Sequence, residues 1–291
     1  MKKILVTGAT GELGKLIIDK LVEQNGAAGI SALVRDPGKR EAFKDSGITL
    51  VRGDYDDYSS LVQAFKGIDT LMFVSASDIP KRLKQHENVI NAAREAGVGQ
   101  VVYTSFERRN ETASSPIAMV SEAHLRTEQL LRDYGIAYTI LRNNLYMDYL
   151  PMFLGEKVLE SGTIFLPAGE GKAGVALRED MAGVAAKILL DGGHHNKSYH
   201  ISGEAAYSFG EIAAMLSDIT GKTIRYVSPE RAEFEKVLRE AGVPEGAVAV
   251  SAAFAQAIRE GELDKTSGDI SAITGKKPVA LKAYLSEIYG A

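Results

Sequence analysis

Through the first half of the chain, short apolar runs alternate with longer stretches in which apolar residues recur every three or four positions. The runs predict strands at 3–7, 30–34, 48–52, 69–75, 100–105 and 137–142, and the periodic stretches predict helices at 12–25, 37–46, 57–66, 79–96 and 117–134. Gly47, Gly67, Gly97 and Gly135 stand where helices should close. Regular alternation of strand and helix predicts an α/β fold built on a doubly wound parallel sheet. In such a sheet ligands lie across the carboxyl ends of the strands, and Gly8, Arg35, Asp54, Ser75, Thr104, Ser105 and Asn143 all fall on that edge.

Beyond Leu150 the pattern loosens. It predicts a helix at 151–161, a strand at 163–167, a glycine-rich turn at 169–174, a helix at 178–191 and a strand at 198–202, then helices at 208–220, 229–241, 245–260 and 278–289. We expect residues 1–150 to form a dinucleotide-binding Rossmann unit whose sheet is extended by 198–202. Residues 151–291 would form a smaller, mostly helical substrate domain over the carboxyl edge.

The segment from Lys3 to Gly14 joins an apolar strand, a glycine turn and a helix start. Gly8 permits the tight turn out of the strand, Gly11 lets the backbone approach a pyrophosphate, and Gly14 lets the helix pack on the strand. Glycines spaced three and three make this a variant of the commoner fingerprint; alone, it is also compatible with an ordinary strand-to-helix turn. The loop Gly8, Ala9, Thr10, Gly11, Glu12 and Leu13 would present backbone N–H groups to the anion. Arg35, at the end of the second strand, would grip a 2′-phosphate and favour NADPH over NADH, or be a solvated loop cation. Asp36 would bind a ribose hydroxyl or cap the next helix. Asp54 would accept from the adenine amino group or serve as a turn aspartate.

With 45% hydrophobic and 25% charged residues over 291 positions, the chain has the makings of an ordinary globular core. A net charge of −4 with no extended Lys/Arg cluster argues against nucleic acid as a partner. Cysteine is absent, which excludes disulfides, thiolate catalysis and cysteine-ligated metals; no metal site is expected. The first apolar run is too short for a secretory signal, and none is long enough to span a membrane, so a cytoplasmic enzyme is expected.

Short-chain dehydrogenases of the ordinary kind use a tyrosine followed four residues later by lysine, but Val120 and His124 occupy those positions. The chain resembles the NmrA-like branch of the atypical short-chain dehydrogenases, in particular its NADPH:quinone oxidoreductase (type 2) and triphenylmethane reductase members. The resemblance rests on Val6 to Gly11, Leu33 to Arg35, Gly53 to Tyr55, His86 to Ala93, His124 to Glu128, Tyr138 to Asn143, Asn196 to Tyr199 and Lys265 to Ser267. It implies direct hydride transfer from NADPH, with NADH weaker and no flavin, to a small aromatic acceptor such as a quinone, an azo dye or a triphenylmethane dye. It also implies that Ser75, Ala76 and Ser77, with Tyr138, Arg142 and Asn143, contact the cofactor or frame the nicotinamide.

Asn143 would orient the reacting groups or cap its strand. Tyr146, Met147 and Tyr149 would wall a planar substrate or form a core stripe. His86 and His124 would face substrate and donate a proton, or be packed histidines. Two positions depart from the family pattern. Glu12 replaces a glutamine beside the pyrophosphate and should weaken binding unless it turns away or pairs with a cation such as Lys15. Leu177 stands where relatives tend to carry a hydroxyl; Arg178, next to it, would reach the substrate or join a salt bridge at a helix start. The resemblance leaves a homodimer open, and with it a rival function: a redox sensor that binds dinucleotide and a protein partner without turnover.

Overall fold

A computed structural model describes every residue except Met1, Pro37, Lys39, Arg40, Glu41, Ala42, Lys44, Asp45 and Ala291. The first half alternates β1 (Ile4–Val6), α1 (Glu12–Asn25), β2 (Ile30–Val34), β3 (Thr49–Arg52), α2 (Tyr58–Phe65), β4 (Thr70–Phe73), α3 (Ile79–Glu95), β5 (Gln100–Phe106), α4 (Ala118–Asp133) and β6 (Ala137–Asn143). The helix expected at 37–46 lies largely outside the described residues.

The second half runs α5 (Leu150–Leu154), α6 (Val158–Ser161), β7 (Thr163–Phe165), β8 (Lys172–Ala173), α7 (Arg178–Leu190), β9 (Lys197–Ile201), β10 (Tyr207–Ser208), α8 (Phe209–Thr220), β11 (Arg225–Val227), α9 (Arg231–Glu240), α10 (Glu245–Arg259), α11 (Asp269–Thr274) and α12 (Leu281–Tyr289). The single helix expected at 151–161 is instead two short ones, because Gly155 adopts φ of 91° between them. Strands β8, β10 and β11 and helix α11 went unforeseen; elements of two to six residues are too short to show a period.

Seven strands form one parallel sheet in the order β3-β2-β1-β4-β5-β6-β9. The order reverses between β1 and β4, which opens a crevice at their carboxyl ends. The inner strands are buried on both faces, and that is why they read as unbroken apolar runs. Leu5, Leu71, Phe73, Val101 and Ile140 pack against α2, α3 and α4. Ile4, Val6, Met72, Val102 and Leu141 turn the other way, onto α1 and α7. Each such fully buried side chain contributes roughly 1.5–3 kcal/mol.

The halves of the chain are interlocked. Met181, Val184 and Ile188 of α7 share one core with Ile17, Ile18 and Leu21 of α1, and β9 pairs with β6 from Thr139↔Lys197 to Asn143↔Ile201. A separate core under α5, α8, α10 and α12 includes Leu150, Phe209, Ile258 and Leu285. That second lobe overhangs the carboxyl edge through Phe254 of α10, which reaches the crevice.

Candidate active site: the cleft at the carboxyl edge

One cleft of about 770 Å3 runs along this edge from Arg35 past the glycine loop to His124, Tyr146 and Phe254. Its floor is set by steric necessity. Gly8 turns at φ of 58°, in the left-handed region. A Cβ on Gly14 would lie 2.2 Å from the Gly8 carbonyl oxygen, so α1 can seat against the loop only without a side chain there. Gly11 differs, since its Cβ would meet only that same oxygen at 3.3 Å. Its bareness serves the open side of the loop. Gly11 is also the N-cap of α1 and supplies no capping side chain, so the first N–H groups of the helix keep their bonding capacity. The Tyr55 hydroxyl shares a hydrogen bond with that of Thr7 (2.5 Å) and donates to the Val74 carbonyl (2.8 Å), tying β1 to β4 where they diverge.

At one end Arg35 is exposed, lines the cleft and has no carboxylate partner among the described residues. Asp36 is committed to its own turn, accepting from the Gly38 N–H at 2.8 Å. Asp54 also lines the cleft, with its Oδ1 accepting from the Asp56 N–H. On the rim of the loop Glu12 pairs with Arg178, the first residue of α7, and not with Lys15. Arg178 also meets Asp148 at 3.4 Å, and its guanidinium lies 5.0 Å from the Tyr149 ring centre and 5.7 Å from that of Tyr146.

At the inner end Ser75, Ala76 and Ser77 line the cleft after β4. The hydrogen bonds behind them fix the tautomer of one histidine and tie in a second. The Ala76 N–H donates to His86 Nε2 (3.0 Å), so the His86 proton sits on Nδ1 and faces Thr127 Oγ1 (2.9 Å), with the Tyr103 hydroxyl at 3.4 Å. The Thr127 hydroxyl spends its own proton on the Ala123 carbonyl. The Tyr103 hydroxyl pairs with His124 Nδ1 at 2.6 Å, and His124 lines the cleft. Burial, then the neighbouring His86 and the charges of Arg82 and Arg108, hold His124 far below the ordinary imidazole range; burial and Arg82 bring His86 down to about 3. Both rings are neutral at physiological pH.

Several residues expected in the site lie elsewhere. Tyr138 is the second residue of β6, at the amino end and opposite Val101, where its backbone N–H donates to Asn196 Oδ1. Arg142 is held by Glu128 at 2.7 Å and Glu111 at 3.2 Å and does not line the cleft. Burial alone would raise the Glu128 carboxyl, but the hydrogen bond from Arg142, the charge of Arg108 and the Ser105 hydroxyl pull it down to about 2. Ser105 reaches the cleft wall yet donates its proton to Glu128. Thr104 acts one layer back, its Oγ1 accepting from the Ser75 N–H. Ala9 and Met147 are core, and His86 backs the Ala76 backbone instead of facing the cleft. Asn143 is buried and does not line the cleft, and both its amide atoms lack a hydrogen-bond partner, while Asn144 reaches the cleft.

Arg82, Gln85, Tyr55, Asn144 and Phe254 line the cleft without having been singled out in the sequence. Arg82 stands one helical turn before His86, a spacing that places both on one face of α3. Among the described residues no group of three His, Asp or Glu side chains could hold a metal ion, and no helix is long and apolar enough to cross a membrane.

Comparison with known proteins agrees with this geometry. The chain is 36% identical to quinone oxidoreductase 2 of Escherichia coli K12, over 98% of both chains. The structure of an E. coli NADPH-dependent quinone oxidoreductase complexed with NADPH superposes with a TM-score of 0.91 at 35% identity, covering 99% of this chain and 100% of that one. Triphenylmethane reductase of Citrobacter sp., complexed with NADP(H), gives a TM-score of 0.89 at 36% identity over 98% of this chain and 99% of that one. The model of the NmrA-like family matches residues 1–287. From its first strand to its last helix, with the glycine loop and the strand-end cleft between them, this chain belongs to the NmrA-like family.

Proposed function

We propose that this protein is an NADPH-dependent reductase that delivers hydride, without a flavin, to quinones and related conjugated acceptors, azo and triphenylmethane dyes included. The observation that carries this reading is the single cleft joining a phosphate cradle to a buried polar pocket. The residues fit the dinucleotide: α1 begins without a capping side chain, the Gly11 face of the loop is bare, and the buried Asn143 amide is unpartnered. When bound, NADPH supplies a hydride from its nicotinamide ring.

In this reading the loop N–H groups bind the pyrophosphate, Arg35 the 2′-phosphate and Asp54 the adenine. Ser75, Ala76 and Ser77 flank the nicotinamide, and Asn143 orients it. Tyr146 and Tyr149 form the acceptor wall, and His124 offers a neutral imidazole as a hydrogen-bonding group. Catalysis is orientation in a preformed site. Residues 1–150 with β9 hold the cofactor, and the later residues roof the acceptor end. A dinucleotide-dependent regulator needs only the groove from Arg35 to Ser75; the pocket beyond it favours an enzyme.

The test is NADPH oxidation by purified, flavin-free protein with a panel of quinones and dyes. Turnover of at least one acceptor is expected. Tight NADPH binding with no turnover of any would favour the regulator.

A further inference from the structure

Two guanidiniums, those of Arg82 and Arg178, line the inner cleft and that of Arg108 is buried nearby; Arg108 and Arg178 are neutralised. Arg108 meets Glu128 at 3.0 Å, and Arg178 pairs with Glu12 and Asp148. Arg82 has no such partner among the described residues, although it is only 9% exposed. Its Nε donates to the Ala76 carbonyl at 2.6 Å, which fixes the plane of the guanidinium against the backbone at the end of β4. Its two terminal nitrogens make no hydrogen bond to the described protein and are not sealed in the core, while the residue lines the cleft. Asp78, one turn earlier, caps α3 through the Lys81 N–H and stays beyond ion-pair distance.

Burying a cation without its counter-ion is costly, and nothing in the packing of α3 requires a charge there. The same cleft wall presents His124 and Tyr146, both close enough to feel the Arg82 charge. The cation therefore shares one cleft with the residues that the reductase reading places around the acceptor.

We propose that Arg82 holds the negative charge that forms on the acceptor oxygen during reduction, and thereby selects neutral carbonyl acceptors, which become anions, over dyes that begin as cations. The inference rests on the reductase reading. A quinone gains a hydrogen nucleus with two electrons at the expense of NADPH, which is oxidised to NADP+. A new bond to hydrogen forms on the acceptor, and the displaced carbonyl π pair settles on oxygen. The resulting quinol monoanion then takes a proton from water at the open mouth of the cleft. A triphenylmethane cation instead loses its charge when hydride adds, so Arg82 offers its product nothing and repels its ground state.

The test compares two probes that cannot turn over when the protein is loaded with NADP+: hydroxynaphthoquinone, an enolate near neutral pH, and the neutral parent naphthoquinone. Affinities are read by calorimetric titration. The unmutated protein should bind the enolate more tightly than the neutral ring. Arg82→Met should weaken the enolate about tenfold or more while changing the neutral ring less than about threefold, and Arg82→Lys should keep most of the preference. In steady-state assays Arg82→Met should shift the ratio of kcat/KM for a quinone to that for a cationic triphenylmethane dye about tenfold toward the dye. Equal binding of both probes by the unmutated protein would overturn the proposal whether or not a variant folds, and so would an equal loss for both probes in a folded Arg82→Met. Failure of every acceptor to oxidise NADPH would overturn the reductase reading instead, and the probe affinities would still decide the role of Arg82.

Discussion

Glu12 on α1 and Arg178 on α7 face each other across the rim of the phosphate loop as an ion pair. The carboxylate that a pyrophosphate site should reject is thus already neutralised by a cation from the second half of the chain. Because Arg178 also lies over Tyr146 and Tyr149, the pair links the dinucleotide end of the cleft to its acceptor wall.

Breaking this pair from either side should have opposite effects. Glu12→Gln removes a negative charge and frees Arg178, so NADPH should bind about threefold to fivefold more tightly at low salt, with the gain shrinking as salt rises. Arg178→Gln leaves the carboxylate unscreened and should weaken NADPH by a similar factor. The double variant should return close to the unmutated affinity, the gain and the loss cancelling when both are measured by calorimetry.

Arg35 should decide between the two dinucleotides. Asp36, beside it, accepts from the Gly38 N–H through Oδ1 and so holds its own turn. NADPH should bind roughly tenfold more tightly than NADH, and Arg35→Ala should remove most of that difference. Equal affinities in the unmutated protein would show that Arg35 is only a surface cation.

Gly11 and Gly14 should separate binding from folding. Gly14→Ala drives a Cβ against the Gly8 carbonyl and should cost about 1–3 kcal/mol of stability along with the cofactor site. Gly11→Val should keep the melting temperature nearly unchanged and abolish NADPH binding, because its side chain would project into the open cradle. A folded Gly11→Val of undiminished affinity would contradict the cradle.

Acid should destabilise the protein well before its carboxylates titrate. His86 is held down to about 3 and His124 far below the ordinary imidazole value, so the folded protein excludes protons that an unfolded histidine takes up near about 6.5. Their contribution is complete above about 6.5 and falls by roughly 1.4 kcal/mol per pH unit for each histidine as pH drops toward the folded values. Glu128, held to about 2, adds a further loss below about 4.5. Urea unfolding near pH 7.5, 6 and 5 should show this slope, and a folded His86→Gln variant should have a shallower one. Constant stability over that range would show that the histidines are not buried in neutral form.

The doubly wound sheet was legible because its inner strands are buried on both faces, leaving apolar runs that glycines and helical periods delimit. The Gly8–Gly14 turn was legible because its residue types follow from steric demands local to the chain. The acceptor end was legible only in part: His124, Tyr146 and Tyr149 do line the cleft. Arg82 and Phe254 look like ordinary helix residues until tertiary packing brings α3 and α10 to one cleft. Tyr138 and Arg142 belong to the right strand, but Tyr138 lies at its amino end and Arg142 is claimed by Glu128. Met147 lies between two tyrosines that reach the cleft, yet it turns into the core at 1% exposure. Strand identity is written in the sequence, whereas which strand residue meets the ligand depends on partners far away in it.

The hydroxyl of Tyr55 has one more consequence. Bonded to both Thr7 and Val74, it adds a third tie to two strand ends that the Val74 N–H already joins through Thr7 Oγ1. The crevice between them need not wait for a hinge to open or a lid to form, so dinucleotide association should proceed in one kinetic phase whose rate rises linearly with concentration. Removing that hydroxyl would let the strand ends breathe, and the first sign would be a plateau in that rate as an opening step takes control.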